Sequence, residues 1–83
     1  QSAVPFVGLR NPMAVALSAD GDVLVADTSN DRVVRLSAAG VQDVLPFASL
    51  SRPAGLVVDE DGRIVVVDAG NNRVVSIQGS LAP

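Results

Sequence analysis

Pro5 returns as Pro46, and most of the chain returns with it at the same 41-residue offset. Val4 to Phe6 (Val-Pro-Phe) matches Leu45 to Phe47 (Leu-Pro-Phe), Leu9 pairs with Leu50, and Pro12 pairs with Pro53. Asp20 and Gly21 correspond to Asp61 and Gly62, Val25 to Val66, Asp27 to Asp68, and Asn30 to Asn71. Arg32, Val33 and Val34 correspond to Arg73, Val74 and Val75. A unit repeated at this period is a supersecondary element that buries its apolar surface by stacking on a copy of itself. The 83 residues hold two such units.

Turn chemistry divides each unit into short strands. A first strand over Met13 to Leu17 is followed by Asp20-Gly21, a pair suited to a tight hairpin. A second runs from Asp22 to Ala26, the polar turn Asp27 to Asp31 follows, and a third runs from Arg32 to Leu36. Ser37 to Gly40 forms a loop, and a fourth strand spans Val41 to Phe47. The pattern returns as Ala54 to Val58, Arg63 to Val67 and Arg73 to Ile77. Helical repeats of similar length need amphipathic stripes at a 3.6-residue period, which are not visible here. The expected fold is all-β, built from two four-stranded blades of propeller type.

Lettering the strands A to D from the inside outwards, residues 1–6 match the outer strand D, so the chain reads D-ABC-D-ABC. Three segments result: an outer strand at 1–6 that completes a neighbouring subunit's blade, a first blade at 7–47, and a second at 48–83. In a ring of copies, Val4, Pro5 and Phe6 of one chain are expected to close against Val74, Val75 and Ile77 of another. The unpaired edge of the last C strand would thereby be satisfied. The first residue is Gln1, which suggests a trimmed or excised segment.

The second strands make the same demand for partners. Val23 to Ala26 and Ile64 to Val67 are apolar without alternation, as in sheets covered on both faces. Two linked blades cover one face each and leave two open. If closing such an interface removed on the order of 600 Å² of apolar surface, the gross gain at ~25 cal/mol/Å² would be roughly 15 kcal/mol before association costs. The contact is heterologous, so it closes into a ring or continues as a filament.

The rest of the composition narrows the function. Cysteine and histidine are absent, so disulfides and the usual zinc ligands are unavailable as staples. Aromatic residues are 2% of a chain that is 48% hydrophobic, so the core must be aliphatic. No apolar run approaches the ~20 residues of a membrane span. A net charge of −3 argues against nucleic-acid binding. Without His, Cys, Lys or Tyr, no serine gains an obvious base and only carboxylates remain as proton carriers, so no catalytic activity is expected.

The ordered elements Pro46-Phe47, Leu50, Pro53, Gly55 to Asp59, Asp61-Gly62, Val66 to Asp68 and Asn71 to Val75 resemble the NHL repeat. The likeness is nearest to the bacterial form in extracellular sensor domains of actinobacterial serine/threonine kinases, and to symmetric designed propellers derived from it. Six blades are common in that family, which implies a cyclic homotrimer of this chain. The resemblance also implies an extracellular setting if the parent is a kinase sensor. The histidine of the family's name is absent, so the zinc chemistry of its lyase members is not implied, and the acidic charge is unlike that of its RNA-binding members. The expected function is a self-assembling two-blade scaffold, natural, excised or designed, that binds itself. No cofactor, metal, membrane or nucleic acid is expected, and the ring face is left open to a protein or small ligand. The alternative is a part of a ligand- or protein-binding sensor domain.

Candidate site residues read mainly as structural. Asp27 with Arg32, and Asp68 with Arg73, are expected to form ion pairs that fix the turn between the second and third strands. Asn30-Asp31 and Asn71-Asn72 are expected to take turn conformations that favour Asn and Asp. Asp59-Glu60-Asp61-Gly62 and Asp20-Gly21-Asp22 make acidic hairpin tips whose spacing does not fit an EF-hand, and they read as solvated turns. Pro5-Phe6 and Pro46-Phe47 read as packing elements, and Met13-Ala14 and Ala54-Gly55 as the start of a channel lining.

Overall fold

A computed structural model describes residues 3–78 of the chain. Seven strands form two antiparallel sheets. The first contains β1 (Pro12–Leu17), β2 (Val23–Asp27), β3 (Arg32–Leu36) and β4 (Gln42–Val44), in that spatial order. The second contains β5 (Pro53–Val58), β6 (Arg63–Asp68) and β7 (Arg73–Gln78). Among the described residues no helix is long and apolar enough to cross a membrane.

Three hairpin loops share one solution. Ser18 N–H donates to Asp22 O at 3.0 Å, Ser37 N–H to Val41 O at 2.8 Å, and Asp59 N–H to Arg63 O at 3.0 Å. Each closes a three-residue loop whose last residue, Gly21, Gly40 or Gly62, has φ between 83° and 88°. Only the glycine of each Asp-Gly pair takes the left-handed region. These are three-residue loops with a terminal left-handed glycine, in place of the two-residue turn that Asp-Gly most often signals.

The outer strand β4 is shorter than the expected Val41 to Phe47. Leu45 N–H still donates to Val33 O at 2.9 Å, but Pro46 has no N–H, and Phe47 N–H turns back onto Leu45 O at 2.8 Å. The ladder therefore ends at this tight turn centred on Pro46, which takes up the next donor in register, Phe47 N–H. Val4-Pro5-Phe6 makes the same local turn, Phe6 N–H to Val4 O at 2.8 Å. Residues 3–6 form no strand. Gln1 and Ser2 of the expected outer strand, and residues 79–83 of the second blade, lie outside the described residues. Of the expected pair of four-stranded sheets, the second is formed by three strands among the described residues.

The core lies between the sheets. Leu24 and Val33 from the first sheet meet Ile64 and Val66 from the second, with Leu45 and Leu50 of the connecting segment between them. Phe47, Leu56, Val58, Val75 and Ile77 complete this layer. The register makes Ala14 and Ala16 of β1 share a sheet face with Leu24 and Ala26 of β2, so small residues let the inner strands β1 and β5 approach.

A close approach also dictates Gly70. Its N–H donates to Ser51 O at 2.7 Å, and a Cβ there would meet that carbonyl and the Ser51 Cβ at 2.7 Å. The corresponding bond in the first unit, Ser29 N–H to Arg10 O, is longer at 3.1 Å and leaves room for a side chain. Gly70→Ala is expected to cost about 1–3 kcal/mol through overpacking. A thermal or urea unfolding curve indistinguishable from that of the parent would count against this reading of the turn.

Candidate functional site

Each B–C turn is one turn of 3₁₀ helix, Thr28–Asn30 or Ala69–Asn71, preceded by a buried aspartate. Asp27 and Asp68 end β2 and β6, and both are sealed from solvent by their own partners, close beneath the surface. Asp27 Oδ1 accepts the Arg10 N–H at 2.7 Å, and Oδ2 accepts Asn30 Nδ2 at 2.9 Å and Arg32 Nε at 2.6 Å. Asp68 accepts Ser51 N–H at 2.7 Å, Asn71 Nδ2 at 2.9 Å and Arg73 Nε at 2.6 Å. Both carboxylates thus bind the incoming segment of their own sheet as well as their own turn.

The amides and guanidiniums extend this staple. Asn30 Nδ2 also donates to Gly8 O at 2.9 Å and Arg32 Nη2 to the same oxygen at 3.3 Å. Asn71 Nδ2 donates to Ser49 O at 2.8 Å, and Arg73 Nη2 to Ala48 O at 3.3 Å. The expectation for Asn30 and Asn71 is corrected in part. The left-handed residues are Asp31 at φ 55° and Asn72 at φ 52°, while Asn30 and Asn71 lie within the helical turn and act as side-chain donors. The Asp-x-x-Asn-x-Arg spacing carried that signal, since an amide three residues after a carboxylate reaches it across one turn of helix.

Burial pushes the Asp27 carboxyl up, but the Arg10 N–H, the Asn30 amide and the Arg32 guanidinium together hold it below its ordinary value of 3.8. For Asp68 the Ser51 N–H is the largest influence; with Asn71 and Arg73 it outweighs burial, and the carboxyl is again lowered. Both oxygens of each carboxylate are engaged by the incoming segment and the turn's own side chains, which leaves this cluster built for structure.

The surface holds two further features. A cleft of about 230 Å³ between the A–B hairpins has Leu24, Val58 and Ile64 on its floor and Asp20, Asp59 and Glu60 at its rim. Arg35 enters it while paired to Asp43 at 3.1 Å. Asp59 Oδ1 is engaged by the N–H groups of Asp61 and Arg63, each at 2.9 Å. No group of three or more acidic residues forms a metal cluster among the described residues.

The second feature is a pair of apolar faces turned away from the core, of which the first is partly covered, since Val25, Val34 and Leu36 on it are buried. On the first sheet, the face turned away from the core exposes Val15 (64%), Leu17 (69%) and Val44 (53%). It also carries an apolar depression of about 360 Å³ between Leu9, Met13 and Val25. The opposite end of the chain exposes Val57 (59%), Val67 (43%) and Val74 (63%) on the second sheet. Val15 and Leu17 are the repeat counterparts of Leu56 and Val58, while Val67 and Val74 are those of Ala26 and Val33. In sequence and sheet register, the two bare faces correspond to the two that are packed together inside the chain.

The residues expected to close subunits divide accordingly. Val4 and Pro5 are exposed, Phe6 is half-buried, Val74 is exposed, and Val75 and Ile77 pack against the core. The β7 edge bears no fourth strand among the described residues.

A model of the NHL repeat matches residues 50–75, within the second sheet and its incoming segment. The structure is similar to that of selenomethionine-substituted virginiamycin B lyase from Staphylococcus aureus, with a TM-score of 0.64 and 12% identity. The likeness covers 87% of this chain and 28% of that one, which is a β-propeller. Among curated proteins none matches. The two sheets therefore have the form of β-propeller blades, and residues 50–75, in the second and its incoming segment, are similar to the NHL repeat.

Two outcomes are expected at the staple. Asp27→Ala leaves three donors without their acceptor; because Arg32 is partly exposed and water replaces some of the loss, the cost is about 2 kcal/mol in unfolding free energy. Asp27→Asn, which keeps an oxygen for Arg10 but not the charge, should cost less in the same denaturation experiment. The lowered carboxyls also predict an acid limb. Their stabilisation is complete above the ordinary value of 3.8 and is lost as pH falls through the lower folded values. Melting temperature against pH should decline below about 4. A curve of the same steepness in the double variant Asp27→Asn, Asp68→Asn would contradict that origin.

Proposed function

We propose that this chain is a self-assembling scaffold in which three copies, each supplying two blades, close a six-bladed propeller with no catalytic activity of its own. The supporting observation is the correspondence between the bare faces and the faces packed inside the chain. Contiguous exposed apolar surface of this kind marks an interaction site. A second copy brings the complementary face by virtue of the repeat itself. The contact is heterologous, and ring closure leaves no face uncovered. Propellers hold about four to eight blades, and the NHL repeat favours six.

Strand exchange completes the ring. The bond from Leu45 N–H to Val33 O has its repeat counterpart in Val4 N–H and Val74 O, so the N-terminal segment of one copy lies along β7 of the next. Val4 and Pro5 then become covered, and Phe6 takes the position that Phe47 holds within the chain. Ring faces lined by the acidic hairpins remain available to a protein or small ligand.

A rival reading places further blades of a longer polypeptide on the same faces, within an extracellular ligand-binding sensor domain. The favouring observation is that the chain spans 28% of the propeller it resembles. Native mass spectrometry of the 83-residue chain separates the two. Self-assembly predicts a species of about 25 kDa, three times the 8.5 kDa of one chain. Val67→Asp and Val15→Asp place an unpaired charge in the contact and should return the protein to a single-chain mass. A parent chain that stays at 8.5 kDa across micromolar concentrations would sink the assembly reading.

A further inference from the structure

The contact between the two blades of one chain contains a polar latch beside its apolar core. Thr28 Oγ1 donates to Pro53 O at 2.7 Å, and Asp31 Oδ1 accepts the Arg52 N–H at 2.8 Å. Both bonds run from the B–C turn of the first blade to the start of the second, crossing the interface away from Leu24 and Ile64. The backbone there is unusual, with Asp31 at φ 55° and Arg52 at φ 47°.

The repeat counterparts of these residues sit on the two bare faces. Asn72 at φ 52° corresponds to Asp31, and Asn11 at φ 50° corresponds to Arg52, so both backbone halves of a second latch have the same local form. Asn11, Pro12, Ala69 and Asn72 are all exposed. Arg52 of the inner latch is Asn11 here but contributes only its backbone N–H; the side chains that bond in the inner latch differ at two points. Ala69 replaces Thr28 and has no hydroxyl to offer Pro12 O, and Asn72 replaces Asp31 with a neutral amide. A third difference lies at the rim, where Arg35 beside the acidic cleft is replaced by Ser76.

We infer that copies of this chain meet through a reduced form of its internal latch, with the Asn72 side-chain oxygen accepting the Asn11 N–H and the Pro12 carbonyl left without its hydroxyl partner. The inference rests on the assembly proposed above and adds to it which junction is weak. A carboxylate accepts a hydrogen bond more strongly than an amide oxygen, and the missing hydroxyl removes a second bond. The ring therefore opens between copies before its paired blades separate. Residues 69 and 72 set the affinity of one copy for the next.

The inner latch supplies the side chains for the test, because Ala69→Thr and Asn72→Asp install the residues that the first blade carries at the same turn positions. The full chain and the double variant A69T/N72D are diluted in parallel and followed by native mass spectrometry and sedimentation. The double variant is expected to dissociate at a concentration lower by about tenfold or more, corresponding to one or two restored hydrogen bonds. Asn72→Ala should shift the midpoint the other way. If the parent assembles and neither change moves its midpoint in the stated direction, the latch is wrong while the assembly stands. If parent and double variant are both monomeric throughout, assembly and latch fall together. A monomeric parent with an assembling double variant supports the latch.

Discussion

A carboxylate removed from water must find donors for its lone pairs, and in each blade the aspartate at the end of the second strand finds them in three places. Asp27 and Asp68 take a backbone N–H from the incoming segment, an amide from their own turn and a guanidinium from the start of the next strand. Each partner that satisfies the charge also fixes a piece of chain. The incoming segment lies against the turn, and the register of the following strand is pinned beside it. The apolar residues that pack the interface, Leu50 with Ile64 and Val66, sit on elements positioned by these bonds.

Stacking follows from that staple and from strands that are apolar on both faces. A strand such as β6 is apolar on both sides, so one packed face leaves another that needs cover. Inside the chain the requirement is met once, between the first and second blades. At the outer faces Val15, Leu17, Val67 and Val74 stay in contact with solvent. The same physics that makes the internal interface therefore supports the proposed external one, which the proposed latch at Ala69 and Asn72 would make the weaker of the two.

Much of this was legible along the chain because it is local. The repeat, the hairpin positions, the packing of Phe47 and the Asp-Arg pairs depend on a few neighbouring residues whose chemistry leaves little choice, whereas Pro5 and Pro46, expected to pack, are exposed. Asp27 and Arg32 directly face each other across the β2–β3 ladder, so a five-residue separation brings them together. Other features were less legible. The Asn30 and Asn71 side chains act on carbonyls 22 residues away, and the reach of that contact is set by how the incoming segment crosses the turn. The outer strand was expected to be longer because Val41 to Phe47 looks extended, but the Phe47 N–H that would continue the ladder turns back onto Leu45 O across Pro46.

By itself, then, the sequence determined the two-unit all-β plan, the strand and turn order, and the unbroken apolar runs of the second strands. These follow from turn chemistry, β-branched runs and repetition, which act over short separations. Only the tertiary structure decided which valines are buried and which are bare. It also decided that Gly70 must lack a side chain beside Ser51, and that Thr28 and Asp31 latch onto Pro53 and Arg52. Those outcomes depend on how closely one sheet approaches another, a distance set by all the side chains of the interface together and by no single stretch of the chain.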